Sequence, residues 1–216
     1  MLEKLRKAMK ATDIDMLLIP SADPHGSEYP EEYFKARKHF SGFTGSAGTL
    51  LIWQGGAGLW TDGRYFIQAE RQLEGSGIDL FKMREPGVPT VDEFIAENIK
   101  GGVLGADLRT IYASEGMELE KGGAILKDCR SLIDGCWEGR PELSREPAYV
   151  LPMELAGVSA GDKLAAVRAE MAKCDANACI FTDLADIAWL FNIRGNDVKY
   201  LPVALSYAIV EKQKAY

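Results

Sequence analysis

Two stretches far apart in the chain follow one plan. Leu5–Ile19 reads LRKAMKATDIDMLLI and Val167–Phe181 reads VRAEMAKCDANACIF, at a constant offset of 162 residues. Arg6 falls on Arg168, Met9 on Met171 and Asp13 on Asp175. Each copy passes from an amphipathic helix pattern through a short polar turn into an apolar strand. Short helix–strand units also match by chance, but here the order continues. HFSGF and then GTLLIW follow the first copy, as WLFNIRG and then LSYAIV follow the second. A repeat of this kind builds a chain from two related units.

The first unit reads as alternating helices and strands. A helix over Leu2–Lys10 leads to a strand over Asp15–Pro20, and Ser21–Tyr29 is a polar loop. Pro30 suits the first turn of a helix reaching about Phe40. Gly42–Gly48 is a glycine-rich connection. Strands over Thr49–Trp53 and Gly58–Thr61, joined by Gln54-Gly55-Gly56-Ala57, form a hairpin. Asp62 is placed to cap a helix from about Arg64 to Leu73, because a carboxylate accepts from the free N–H groups of a first turn. A strand over Ile78–Met83 follows. Thr90 and Glu93 make a capping-box pattern ahead of a helix over Val91–Asn98. Val103–Asp107 reads as a strand, Ser114 as the cap of a helix to about Lys127, and Ser131–Trp137 as a last strand. Such alternation predicts an α/β fold, a sheet flanked by helices.

From Glu138 to Gly157 the composition shifts, with three prolines in GRPELSREPAYVLPMELAG. The expected organisation is a first domain over 1–137, an ordered linker over 138–157 and a second, incomplete domain over 158–216. The incompleteness is read from Lys214-Ala215-Tyr216, where the second hairpin strand should begin. A sheet edge there would lack its partner, so the sequence is expected to be a fragment of a longer protein.

Composition narrows the partners. The formal net charge is −7 and no run of Lys and Arg stands out, whereas nucleic-acid binding needs a basic face. The one short apolar run after the basic N-terminus, Met16–Ile19, is neither a secretory signal nor a membrane span. A cytoplasmic protein without nucleic-acid or membrane partners is expected. Cys129, Cys136, Cys174 and Cys179 lack Cys-x-x-Cys spacing, and neither histidine lies near them. They read as buried reduced thiols, not as a zinc site.

Few residues invite chemistry. Arg64 follows Gly63 at a sharp turn, where a guanidinium clamps a carboxylate or a peptide carbonyl with paired donors. On spacing alone a salt bridge to Asp62 is the plainer account. Trp60 is either an exposed binding lip beside it or a core residue, and a strand Trp favours the core. His25, in SADPHGSEY with Asp23 and Glu28, matches no standard metal spacing and reads as a hydrogen-bonded loop residue. His39 ends a helix, where a cation complements the dipole. GFTGSAGT lacks the Gly-Lys-Ser/Thr ending of a P-loop and precedes a strand, so it reads as a tight structural turn. No Ser-His-Asp set can be assembled.

Taken in order, SADPHGSEY, HFSGFTGSAGT, LWTDGRYFIQA, DIAWLFNIRGNDV and PVALSYAIV resemble aminopeptidase P, the Xaa-Pro aminopeptidases of the longer, three-domain type. The resemblance covers nearly the whole chain. It implies creatinase-like N-terminal domains of the ribonuclease H-like kind, each a mixed sheet flanked by helices, here one copy and part of a second. It also implies a third, pita-bread domain that holds two divalent metals, often manganese, through Asp, His and Glu, and that is not among these residues. Metal ligands and catalytic residues are therefore expected to be absent from the chain. The resemblance implies that the N-terminal domains narrow the entrance to the active site and support a homodimer. The substrate would be a peptide with proline at its second position, and the Arg of WTDGRY, here Arg64, would reach it. Arg194 in the second unit is a lesser candidate for the same cleft. A stand-alone interaction module, or a relative of prolidase or creatinase, is the alternative; the repeat argues against the latter pair.

Overall fold

The computed structural model describes residues 1–216. Two units emerge: Met1–Pro24 with Tyr33–Pro141, and His25–Glu32 with Glu142–Tyr216.

The first unit carries α1 (Leu2–Ala11), β1 (Met16–Pro20), α2 (Ala36–Ser41), β2 (Thr49–Trp53), β3 (Gly56–Thr61), α3 (Phe66–Leu73), β4 (Asp79–Lys82), α4 (Val91–Ile99), β5 (Val103–Ala106), α5 (Ala113–Lys121), β6 (Ile125–Asp128) and α6 (Arg130–Cys136). The sheet order is β4-β3-β2-β1-β5-β6. Strand β2 runs antiparallel to both neighbours and every other pairing is parallel. Strands β1, β3, β4, β5 and β6 therefore all end on one edge. Both sheet faces are covered, which is why the central strands are continuous apolar runs. Leu17, Ile19, Leu50 and Ile52 face one core with Leu5, Met9, Leu73 and Ile133. Met16, Leu18 and Leu51 face the other with Ile95, Ile99 and Leu119. This is the expected mixed sheet flanked by helices.

Several expected elements differ. Ser131–Trp137 is a helix, α6, not a strand. Leu132, Ile133, Cys136 and Trp137 are all buried, and that spacing is one helical face. The last strand lies earlier, at β6, because α5 stops at Lys121. Gly122 caps it, and Gly123 takes φ +96, a left-handed turn that L side chains resist. The helix expected from Pro30 to Phe40 is a 3₁₀ turn, Glu32–Phe34, followed by the short α2. Helix α3 starts at Phe66, later than expected, because the Asp62 carboxylate is spent on the turn that precedes it. The hairpin is tighter than expected: Trp53 pairs with Gly56, leaving Gln54-Gly55 as the turn. The Thr90/Glu93 capping box is present in full.

The second unit carries β7 (Tyr149–Val150), α7 (Met153–Ala156), α8 (Ala160–Lys173), β8 (Ala178–Phe181), α9 (Leu184–Phe191), β9 (Ile193–Arg194) and β10 (Ala208–Glu211). Strand β10 pairs antiparallel with β8, and β9 with β7. The repeat is visible bond by bond. Asp13 and Asp175 both take left-handed φ, 54° and 51°. Ile14 N–H donates to Met9 O at 2.9 Å, as Ala176 N–H does to Met171 O at 2.9 Å. Arg6 Nε donates to Trp53 O at 3.1 Å, where β2 ends, and Arg168 Nε to Glu211 O at 2.9 Å, where β10 ends. Met16 pairs with Trp53 as Ala178 pairs with Glu211.

Candidate functional site

The stretch from His39 to Gln68 folds back on itself around a buried cation. Arg37 is 5% exposed. Its Nε donates to Ser21 Oγ at 2.8 Å, its Nη1 to Phe43 O and its Nη2 to Gly45 O. Ser21 Oγ donates onward to Gly48 O at 2.8 Å. Loop carbonyls, not a carboxylate, thus satisfy the guanidinium. Burial lowers its pKa to about 10, so it remains charged at neutral pH. Gly45 is required by crowding: a Cβ there would stand 2.3 Å from the Phe43 ring and 2.8 Å from Tyr65. The Gly/Ser run is accordingly the tight structural turn expected of it. Sequence reading missed Arg37, which sits among Lys35 and Lys38 and looks like part of a solvated helix face.

This loop docks onto the turn that follows β3. Thr61 Oγ1 donates to Ala47 O at 2.7 Å, and the Ser46 and Tyr65 hydroxyls lie 2.7 Å apart. Gln68 and Gln72 both donate to Thr44 Oγ1, and Thr44 N–H donates back to Gln72 Oε1. The turn between these anchors, Asp62-Gly63-Arg64, is therefore held from both sides.

At that turn Arg64 lies side-on to Asp62. Its Nε donates to Oδ1 at 2.9 Å, its Nη2 to Oδ2 at 2.8 Å, and its own N–H to Oδ1 at 3.1 Å. The side chain is 66% exposed. These bonds pull the Asp62 carboxyl down to about 2. The salt bridge read from spacing is present, and it also orients an exposed guanidinium at the edge where the parallel strands end. Ligands of α/β proteins gather at such edges.

The other candidates fall elsewhere. Trp60 is 1% exposed, stacks on Phe81 at 3.9 Å and donates from Nε1 to Pro89 O at 2.9 Å, so it is core and no lip. His39 does stand in the last turn of α2, but it stacks on Trp137 at 4.4 Å and burial lowers its pKa. Burial of the ring disfavours the charged form and so works against the cation–dipole role expected of it. His25 belongs to the second unit, with Nδ1 3.0 Å from Thr182 O and its ring against Tyr207. Arg194 is half-buried, its Nη1 donating to Ala188 O at 2.9 Å and Ile193 O at 2.8 Å. Cys129 and Cys136 are buried thiols with pKa values raised by desolvation; Cys174 is exposed and Cys179 half-buried, which corrects the expectation for those two. No three His, Cys, Asp or Glu side chains gather where a metal ion would need them. No helix is long and apolar enough to cross a membrane.

Comparison with known proteins covers the whole chain. The family profile described as creatinase/prolidase N-terminal domain matches residues 1–136, and a second profile of the same description matches residues 139–216. Aminopeptidase P1 of Lotus japonicus is 40% identical over 97% of this chain, which spans 32% of that protein. A probable Xaa-Pro aminopeptidase P of Coccidioides posadasii is 41% identical over 99% of this chain and 36% of its own length. The chain thus spans about a third of these relatives. A crystal structure of X-prolyl aminopeptidase from Caenorhabditis elegans, a cytosolic enzyme with a di-nuclear active site, superposes with a TM-score of 0.91 at 33% identity. It covers 99% of this chain and 38% of that one.

Proposed function

The chain belongs to the creatinase/prolidase N-terminal domain family, and from that premise we propose that it forms the non-catalytic N-terminal region of a metal-dependent Xaa-Pro aminopeptidase. The observation that carries this is the match along 99% of the chain to the C. elegans enzyme, at a TM-score of 0.91. The organisation we propose is a first domain over 1–137, a linker over 138–157 and a second domain over 158–216. The parent enzyme would be cytoplasmic and dimeric, and would act on peptides with proline second.

The residues present do not fit a metal centre, since no cluster of three ligating side chains exists. The two metal ions, which we take to be manganese, would act in another part of the parent enzyme. There, the paired cations would supply a hydroxide nucleophile near neutral pH. What this chain supplies is positioning. Arg64, oriented by Asp62 and supported by Tyr65 and Ser46, offers its exposed guanidinium edge to a peptide carbonyl or carboxylate. An Xaa-Pro bond lacks an N–H, so recognition falls on such acceptor groups. The domains would also narrow the path to the active site.

The test compares two proteins. Residues 1–216 alone, with manganese added, should leave Ala-Pro-Ala uncut. The longer protein that carries this chain at its N-terminus should release alanine from it. Cleavage by residues 1–216, or none by the longer protein with its metal bound, contradicts the reading.

A further inference from the structure

The tyrosine that follows Arg64 joins it to the buried Arg37. The Arg64 guanidinium carbon stands 5.2 Å from the centre of the Tyr65 ring, within the range of a cation–π contact. Tyr65, half-buried, also meets the glycine loop at three places. Its ring makes a T-shaped contact with Phe43, centres 5.9 Å apart, and a Cβ on Gly45 would come within 2.8 Å of it. Its hydroxyl lies 2.7 Å from Ser46 Oγ. Phe43 and Gly45 are the residues whose carbonyls accept from Arg37 Nη1 and Nη2. The Arg37 guanidinium carbon stands 4.9 Å from the centre of the Phe43 ring. Contacts therefore run unbroken from Arg37 through Phe43 and Tyr65 to Arg64.

The turn itself does not need the tyrosine. Asp107-Leu108-Arg109 makes the same carboxylate fork, Nε to Oδ1 at 2.9 Å and Nη2 to Oδ2 at 2.7 Å, with Thr110 in the following place. Thr110 Oγ1 donates back into its own turn, to Asp107 O at 2.8 Å. The Tyr65 hydroxyl instead meets a residue 19 positions away. Asp62 thus ties the Arg64 guanidinium to its own turn, and Tyr65 ties it to the loop.

Resting on the reading of Arg64 as a peptide contact, we propose that Tyr65 is a positioning residue for Arg64, seating the guanidinium against a loop that the buried Arg37 fixes. A long side chain placed in advance loses less freedom when a ligand arrives. Tyr65 acts through Arg64 and not on the peptide itself.

The experiment has two readouts. In residues 1–216, Tyr65→Phe keeps the ring and removes its hydroxyl bond to Ser46. Exchange of the Arg64 Nε–H with water, followed by NMR, should quicken about threefold, within the worth of one hydrogen bond. In the longer protein with its metal bound, Tyr65→Phe and Ser46→Ala should each lower kcat/KM for Ala-Pro-Ala about three- to fivefold at unchanged metal content. On an Arg64→Ala background neither should lower it further, because no guanidinium is left to position. A loss of the same size on both backgrounds makes Tyr65 a general structural support and overturns the inference. So do unchanged exchange and kinetics in Tyr65→Phe, beside an Arg64→Ala enzyme that is slowed. Arg64→Ala without kinetic effect overturns the peptide reading of Arg64 and this inference with it.

Discussion

Two Asp-x-Arg turns end two strands of the same sheet edge, and their hydrogen bonds are nearly superposable. After β3, Arg64 meets Asp62 through Nε at 2.9 Å and Nη2 at 2.8 Å. After β5, Arg109 meets Asp107 through Nε at 2.9 Å and Nη2 at 2.7 Å. In each, the arginine N–H also donates to Oδ1 at 3.1 Å. Their surroundings differ. The Asp107 side chain is 9% exposed, and the Arg109 guanidinium lies 5.4 Å from the Phe34 ring and 5.7 Å from Tyr33. Asp107 holds Arg109 more firmly protonated than usual. Arg64 is twice as exposed as Arg109, at 66% against 33%. The turn itself is scaffold. What turns one copy into a candidate contact is its greater exposure.

The same contrast recurs on a larger scale. In β1, Leu18 is 2% exposed under α4 and α5; at the matching place in β8, Ile180 is 68% exposed. Their partners across the ladder, Leu51 and Ile209, are 0% and 41% exposed. Helix, left-handed aspartate, strand and arginine bond repeat faithfully, while the cover over the strand does not.

That contrast can be broken at three levels. Leu18→Ala should cost about 3 kcal/mol by urea unfolding, because it opens a cavity under two helices. Ile180→Ala should cost less than about 1 kcal/mol at its exposed position. Equal losses would mean that cover does not decide the difference. Next, Arg109→Ala should cost about 2 kcal/mol, since it strands a buried carboxylate and strips the Phe34 ring of its cation. Arg64→Ala should cost under about 1 kcal/mol, as exposed ion pairs do. The reverse order would make Arg64 the structural residue of the two. The smallest effect is in pH. With a folded pKa of about 2 against the ordinary 3.8, Asp62 contributes stability above pH 3.8 that is lost as pH falls through 2. Solvent screening keeps it below about 1 kcal/mol. NMR titration should place the carboxyl near 2, and Arg64→Ala should return it toward 3.8.

Much of this architecture could be read directly from residues. The apolar runs of β1, β2 and β3, the glycine hairpin and the Thr90/Glu93 box depend on local pattern, and local pattern found them. Helix α6 was missed because its four apolar residues are too close together to distinguish period 2 from period 3.6 without the β6 boundary. The site divides in the same way. WTDGRY and GADLRT contain the same Asp-x-Arg unit, and nothing in spacing tells the open turn from the clamped one. Family resemblance picked out Arg64; burial explains why Arg109 is different. Arg37 escaped notice because its role comes from tertiary placement inside a loop.

The most direct test is kinetic. In the longer enzyme of which we propose this chain is the N-terminal region, Arg64→Ala should lower kcat/KM for Ala-Pro-Ala by roughly tenfold or more, the worth of a charge-assisted hydrogen bond. Metal content and unfolding midpoint should stay at wild-type values. Unchanged kinetics would leave Arg64 as a surface ion pair and nothing more.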